Sequence, residues 1–268
     1  MLLELGEDAT VYCGGTELLL AMKLGLAVPS HLVDVKGIPE LHGVERREDS
    51  LWVGAATCHY QLSASQTVQA ALPEMAAMAA EVANVRVRSV GTIGGNLCFA
   101  DPHSDPATFL IAARARLRCQ IGGDDVELAV GEFTTGPYET HLQHGDLLLG
   151  LVVPALRDGA GIAHLRMKTH ERPTVTVAAM VRVEASRVVD ATLAVGSICP
   201  VPVELAIAPL LLGARGATLD AAIADLLPTL AASVRLLAGS LDTEAYQRHL
   251  TEVFVRRAIL SAFARAQR

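Results

Sequence analysis

Two short stretches, CGGTEL at residues 13–18 and TIGGNL at 92–97, place paired glycines after a strand-like run, the first of them directly before a helical one. Glycine carries no Cβ, so successive backbone N–H groups can turn together and come close to a ligand. N–H groups turned this way form a nest for an anion, and a helix N-terminus adds a favourable dipole. Two nests could share one pyrophosphate. That would serve a chain whose formal charge of −7 offers an anion no attractive field. The bland alternative is that each Gly-Gly is only a turn. Neither stretch is G-x-G-x-x-G, since the second reads Gly91-Thr92-Ile93-Gly94-Gly95. The dinucleotide fingerprint of a doubly wound sheet therefore does not apply.

Polar side chains gather beside both stretches: Thr16 and Glu17 at the first, then Thr92, Asn96, Asp101, His103, Ser104 and Asp105 around the second. Carboxylates, amides and hydroxyls of this kind suit the hydroxyls of a ribityl chain or a ribose. Asp105 also reads as an N-cap for a helix beginning at Pro106. Other candidate groups are weaker. His141 and His144, in HLQH, would sit one helical turn apart, but no third metal ligand is near and an exposed loop pair is the simpler reading. Asp34 and Glu40 read as solvated. The five cysteines, Cys13, Cys58, Cys98, Cys119 and Cys199, form no C-x-x-C, which leaves a zinc knuckle or a local iron–sulfur clip without support. They read as free thiols in a reducing cytoplasm, each a small buried hydrophobe.

The elements that must position these groups follow from the rest of the chain. Its 268 residues, half of them hydrophobic, suffice for one large or two medium domains. The acidic balance and scarce aromatics argue against a nucleic-acid partner. The longest apolar runs, LLLGLVVPAL and LAIAPLLLGA, are too short for a membrane span, and MLLELGEDAT is too short and acidic for a signal peptide. The opening residues read as the end of a helix closed near Gly6. ATVYC is a strand, Thr16 an N-cap, and Leu18, Leu19, Met22 and Leu26 recur at helical spacing. HLVDV is a second strand, and GVERREDSLWVGA a hairpin, giving β-α-β-β. Pro73–Ala83 is helical, VRVRSV begins as a strand, and a helix follows Asp105. ARLRCQ and DVELAV form a hairpin over IGGD, and DLLLGLVVP is a buried strand. Residues 155–163 carry the composition of a domain boundary; beyond them lie strands, then helices around 219–238 and 243–266. The class is α+β.

At these motifs the sequence resembles the FAD-binding, medium subunits of the molybdenum hydroxylases, a group that includes carbon monoxide, xanthine, aldehyde and nicotine dehydrogenases and 4-hydroxybenzoyl-CoA reductase. CGGTELLLAMKLGLAVPSHLVDVKGIPEL and VRVRSVGTIGGNLCFADPHSDPATFLIAARA resemble the two flavin segments. MKTHERPTVTVAA resembles the opening of the C-terminal domain, and AYQRHLTEVFVRRAIL its terminal helix. The resemblance spans essentially the whole chain. It implies an FAD-binding domain of the vanillyl-alcohol oxidase type over 1–158, with subdomains of about 1–55 and 56–158. A C-terminal α+β domain of the carbon monoxide dehydrogenase flavoprotein type would follow over 159–268.

The same resemblance implies a set of FAD-binding residues: Cys13, Gly14, Gly15, Thr16, Glu17 and Leu18 at the first stretch; Thr92, Ile93, Gly94, Gly95 and Asn96 at the second; then Asp101, Ser104, Asp105, Leu148 and Lys168. Glu17, Asn96 and Asp105 match positions that hydrogen-bond FAD. Leu148 and Lys168 match positions beside the flavin ring, where a cation stabilises the negative charge of the reduced form. Thr16 stands where a histidine could carry covalent flavin, which implies non-covalent FAD. Only MLLELGED precedes the first flavin strand, where family members carry a strand and most of a helix.

The implied role is electron transfer in the cytoplasm, with no catalytic residue and no metal ligand in this chain. A large partner subunit would hold the molybdenum cofactor, and a small one the iron–sulfur clusters. FAD here would pass electrons on to an external acceptor, in a complex expected to be a heterohexamer. The alternatives are a stand-alone FAD-dependent oxidoreductase of the same flavin fold and a flavin-free scaffold subunit.

Overall fold

The computed structural model describes residues 1–268 except 1, 7, 169–171, 240 and 241. Its contacts divide the chain into two units, Met1–Asp101 with Ala115–Pro154, and Pro102–Arg114 with Ala155–Arg268.

The first unit opens with α1 (Leu2–Leu5), closed by Gly6 at φ +84°. β1 (Ala9–Tyr12) leads through α2 (Leu18–Lys23) to β2 (His31–Asp34), which pairs with β1 in parallel. β3 (Val44–Arg47) and β4 (Ser50–Gly54) form the expected hairpin. Five short helices follow: α3 (His59–Ala64), α4 (Gln66–Ala71), α5 (Pro73–Glu81), α6 (Val85–Val90) and α7 (Ile93–Phe99). The chain then leaves for α8 (Pro106–Ala112), which belongs to the second unit. It returns with β5 (Arg116–Ile121) and β6 (Asp124–Ala129), turning over Gly122 and Gly123 at positive φ. α9 (Val130–Phe133), the small pair β7 (Thr134–Gly136) and β8 (Glu139–Thr140), and β9 (Leu147–Pro154) complete the unit. β9 slots between β4 and β5, so the main sheet reads β3-β4-β9-β5-β6, antiparallel throughout. Its strands bury Leu51, Val53, Leu117, Leu151 and Val153.

Two expectations change here. VRVRSV, expected to begin as a strand, is α6: the Asn84 side chain accepts from the N–H groups of Arg86 and Val87, and Arg88 donates to the Val82 carbonyl. Alternating valines describe a strand only when one face has something to bury against. Here Val85 and Val90 are exposed, and the cap decides. Thr16 is not the N-cap of α2; that position falls to Glu17, whose side chain makes no capping bond. Of the residues at helical spacing, Leu18, Leu19 and Met22 lie in α2, which buries none of its residues, and Leu26 lies beyond its end, 79% exposed.

In the second unit, β10 (Ala160–Met167), β11 (Val175–Glu184), β12 (Arg187–Gly196) and β13 (Val203–Leu205) form an antiparallel meander. α10 (Ala208–Leu211), α11 (Gly216–Ser233) and α12 (Glu244–Ala266) follow. Strand alternation sorts β11 into two faces. Val175, Val177, Ala179 and Val181 join a buried cluster with Ile223 and Ile259 of α11 and α12. Thr176 points the other way and hydrogen-bonds Thr108 of α8 at 2.9 Å. Both faces are covered, so β11 is apolar nearly end to end.

Candidate functional site

The first unit encloses a cavity of about 330 Å³, at the lower end of the range for small-molecule and cofactor sites. One wall is the β1–α2 connection, residues 13–18. A second is the α6–α7 corner with Gly91, Thr92 and Asn96. Val82, Ala83 and Val87 close one side, and Leu147 and Leu148 of β9 another.

The two glycine stretches are built into one piece. A Cβ on Gly14 would lie 2.3 Å from the Val90 carbonyl oxygen and 2.9 Å from Gly91 Cα, so backbone rests on backbone there. A Cβ on Gly94 would lie 2.5 Å from Ala55 Cβ. At both positions the missing side chain makes room for the protein itself, where the sequence reading had assigned the space to a ligand. Gly15 meets the other requirement, a φ of +70°.

The backbone donors divide unequally. TIGGNL is the first turn of α7: Thr92 caps it, accepting from Gly95 N–H at 3.1 Å, and Asn96 N–H bonds the Thr92 carbonyl. Ile93 and Gly94 donate to the carbonyls of Thr57 and Ala55. Of residues 93–96, every N–H is thus engaged by the protein, and the expected second nest is absent. The first stretch is different. The N–H groups of Gly15, Thr16 and Leu18 have no hydrogen-bonding partner among the described residues, and all three residues line the cavity.

Electrostatics around the cavity favour neutral groups. His59, at the start of α3, is 2% exposed, and its Nδ1 is buried with no partner among the described residues. Burial, with the Arg88 charge added, pushes its imidazole down to about 4. The Cys98 side chain opens on the cavity, yet the protein packed around it pushes the thiol up to about 12. Burial also raises Cys13, partly offset by a hydrogen bond with Thr92. At neutral pH both thiols and the imidazole are uncharged.

The structure places the expected residues as follows. Cys13 through Leu18, together with Thr92, Gly94, Gly95, Asn96 and Leu148, line the cavity. Ile93 is fully buried in the core and Asp101 is buried in the first unit, both outside the lining. Ser104, Asp105 and Lys168 lie in the second unit. Asp105 occupies the N-cap position of α8 but makes no capping bond; its Oδ2 accepts from Arg166 Nη1 at 2.9 Å. Lys168 is exposed just after β10. His141 and His144 are not helical, and His144 Nε2 lies 3.2 Å from the Leu2 carbonyl oxygen. No group of three His, Cys, Asp or Glu among the described residues could hold a metal ion, and no described helix is long and apolar enough to cross a membrane.

Sequence reasoning missed His59, Cys98, Val82 and Val87 as lining residues. Cys98 could have been found, four residues after Gly94 and so on the same helix face. His59 had no local signal. It reaches the cavity because its N–H pairs with the Gly91 carbonyl beneath the α6–α7 corner.

Comparison with known proteins gives one consistent result. Residues 1–156 match the family described as the FAD binding domain in molybdopterin dehydrogenase, and residues 162–262 match the CO dehydrogenase flavoprotein C-terminal domain. The carbon monoxide dehydrogenase medium chain of Hydrogenophaga pseudoflava is 31% identical over 266 residues, covering 98% of this chain and 92% of that one. A putative xanthine dehydrogenase FAD-binding subunit of Escherichia coli K12 is 29% identical over 73% of this chain and 69% of its own length. Among solved structures, carbon monoxide dehydrogenase from Hydrogenophaga pseudoflava superposes with a TM-score of 0.93 at 30% identity, covering 98% of this chain and 92% of that one.

Proposed function

Because the chain belongs to the family of FAD-binding medium subunits of molybdopterin dehydrogenases, we propose that it relays electrons within such an oxidoreductase complex, from the iron–sulfur clusters of a small partner subunit to an external acceptor. A large partner subunit would carry the molybdenum cofactor and oxidise the substrate. The proposed complex is a heterohexamer, two copies of each subunit.

The observation that carries this reading is the set of N–H groups on Gly15, Thr16 and Leu18 with no hydrogen-bonding partner among the described residues, on residues that line a cavity of cofactor size. Unbonded backbone donors in a folded chain are costly unless a ligand or water satisfies them. A pyrophosphate supplies acceptors of the right kind, and the donors bind it without a cationic side chain. FAD, when bound, exchanges electrons singly or in pairs, which suits a junction between one-electron clusters and a two-electron acceptor. The chain's own part is to hold and orient it. Thr16, Glu17, Thr92 and Asn96 bring polar side chains to the cavity, and Leu148 an apolar wall. With Thr16 at the first stretch, binding is non-covalent. The resemblance also assigns Asp101, Ser104, Asp105 and Lys168 to FAD, each testable by substitution.

The test is to purify the tagged chain from its native host, denature it, and identify the released cofactor and companion polypeptides by mass spectrometry. Intact FAD, with a molybdopterin subunit and an iron–sulfur subunit alongside, is the expected result. FAD without companions would point instead to a stand-alone flavin oxidoreductase. A chain that takes up no FAD, even when FAD is added, would overturn the reading.

A further inference from the structure

We propose that His59 is a binding residue of this cavity, its neutral imidazole hydrogen-bonding a flat nitrogen heterocycle of the bound dinucleotide held against Val82, Ala83 and Val87. The inference rests on the FAD-binding reading and extends it to a residue that no motif marks.

Three observations carry it. First, His59 lines the cavity while being 2% exposed, so it is enclosed by protein on its other sides. Second, its Nδ1 is buried without a partner among the described residues, although buried imidazole nitrogens are ordinarily paired. The backbone fixes the residue in that position. Its N–H donates to the Gly91 carbonyl at 3.0 Å, and the preceding Cys58 caps α3, with Gln61 completing the capping box. Third, the nearby wall is apolar. Arg88, whose charge acts on His59, donates to the carbonyls of Val82 and Ala83 and so holds that corner. Val82, Ala83 and Val87 can cover the face of a ring but offer it no side-chain hydrogen bond. A heterocycle stacked there would have the imidazole, which lines the same cavity, as a hydrogen-bonding partner.

The charge state narrows the choice of ligand group. An imidazole held at about 4 is neutral near pH 7, so it brings no positive charge to a phosphate. A neutral imidazole offers one donor and one acceptor. Adenine and the flavin ring both present ring nitrogens and adjoining groups that match. The two sources share the chemistry, and they are separable by experiment.

The experiment is calorimetric titration of the full apo chain with FAD, ADP and FMN, for wild type and for His59→Phe and His59→Asn. Phenylalanine keeps the ring and its packing but removes the hydrogen bond; asparagine keeps a polar group near the place of Nδ1. The Phe variant is expected to bind FAD about tenfold more weakly, the value of one buried hydrogen bond, with Asn recovering part of the loss. If ADP weakens in parallel the partner is adenine; if FMN does, it is the flavin. FAD affinity of His59→Phe within twofold of wild type would overturn the inference and leave the FAD reading standing. Wild-type chain that binds no FAD would overturn both. Should His59→Phe fail to fold, 15N resonances of the His59 ring in wild type decide: a shift on adding FAD supports the contact, and unchanged resonances overturn it.

Discussion

A methyl group on Gly14 has nowhere to go, since the Val90 carbonyl, 2.3 Å from where it would sit, is backbone and cannot rotate away. Gly14→Ala is therefore expected to cost about 2 kcal/mol of stability by forcing the two glycine stretches apart, and to weaken FAD binding as well. Chemical denaturation and an FAD titration on the same preparation check both effects. The histidines give a pH dependence. Burial is the main cause that pushes His59 and His164 down to about 4, with Arg88 and Arg166 adding to it. Unfolded, each takes a proton as the pH falls through about 6.5; folded, each stays neutral until near 4. Stability is then fully present above pH 6.5 and declines as the pH falls towards 4, by about 2 kcal/mol per histidine between pH 7 and 5. Urea midpoints at the two pH values measure the decline, and His164→Phe should remove its share. Arg166 and Asp105 form a shielded ion pair, with side-chain exposures of 18% and 5%. Arg166→Ala is expected to destabilise the protein by about 3 kcal/mol, because it removes one partner of this shielded pair.

Among the elements, α6 shows how one cap outweighs a pattern. Six residues bury none of their side chains, and the helix stands on the two bonds that Asn84 accepts and the carbonyls that Arg88 holds. Asn84→Ala is expected to cost about 1 kcal/mol, read from a thermal or urea melt. The loss should appear in FAD affinity too, since α6 leads directly into Gly91 and Thr92. α7 teaches the converse. Its Gly-Gly pair looked like a loop, and the Thr92 cap together with the backbone bonds from Ile93 and Gly94 makes it a helix start. β11 was legible as strand because both faces are covered, one by α11 and α12, the other by α8. That α8 supplies the second cover, from residues 106–112, could not be read from the local pattern.

For the whole molecule, belonging to the medium-subunit family makes the chain one component of an oxidoreductase. The prediction at this scale concerns division of labour. Loaded with FAD, the isolated chain should accept electrons from a chemical reductant but oxidise no substrate, because the proposed substrate chemistry lies in another subunit. Anaerobic titration followed by visible absorbance, and an activity assay with and without companion subunits, test this. Full-rate substrate oxidation by the isolated chain would defeat the relay reading.

The amino-acid order by itself determined the two-part α+β class and the hairpins at 44–54 and 116–129, and it singled out the first glycine stretch, which lines the cavity. These depend on alternation, turn residues and the missing Cβ of glycine, all local properties that neighbouring residues display. Only the tertiary structure decided that Gly14 and Gly94 make room for backbone, that the N–H groups of 93–96 are already engaged, and that His59 belongs to the cavity wall. Each of these turns on what lies opposite a residue in space. His59 and Gly91 are 32 positions apart in the chain yet share a hydrogen bond, and no local pattern encodes which distant carbonyl a backbone N–H will find.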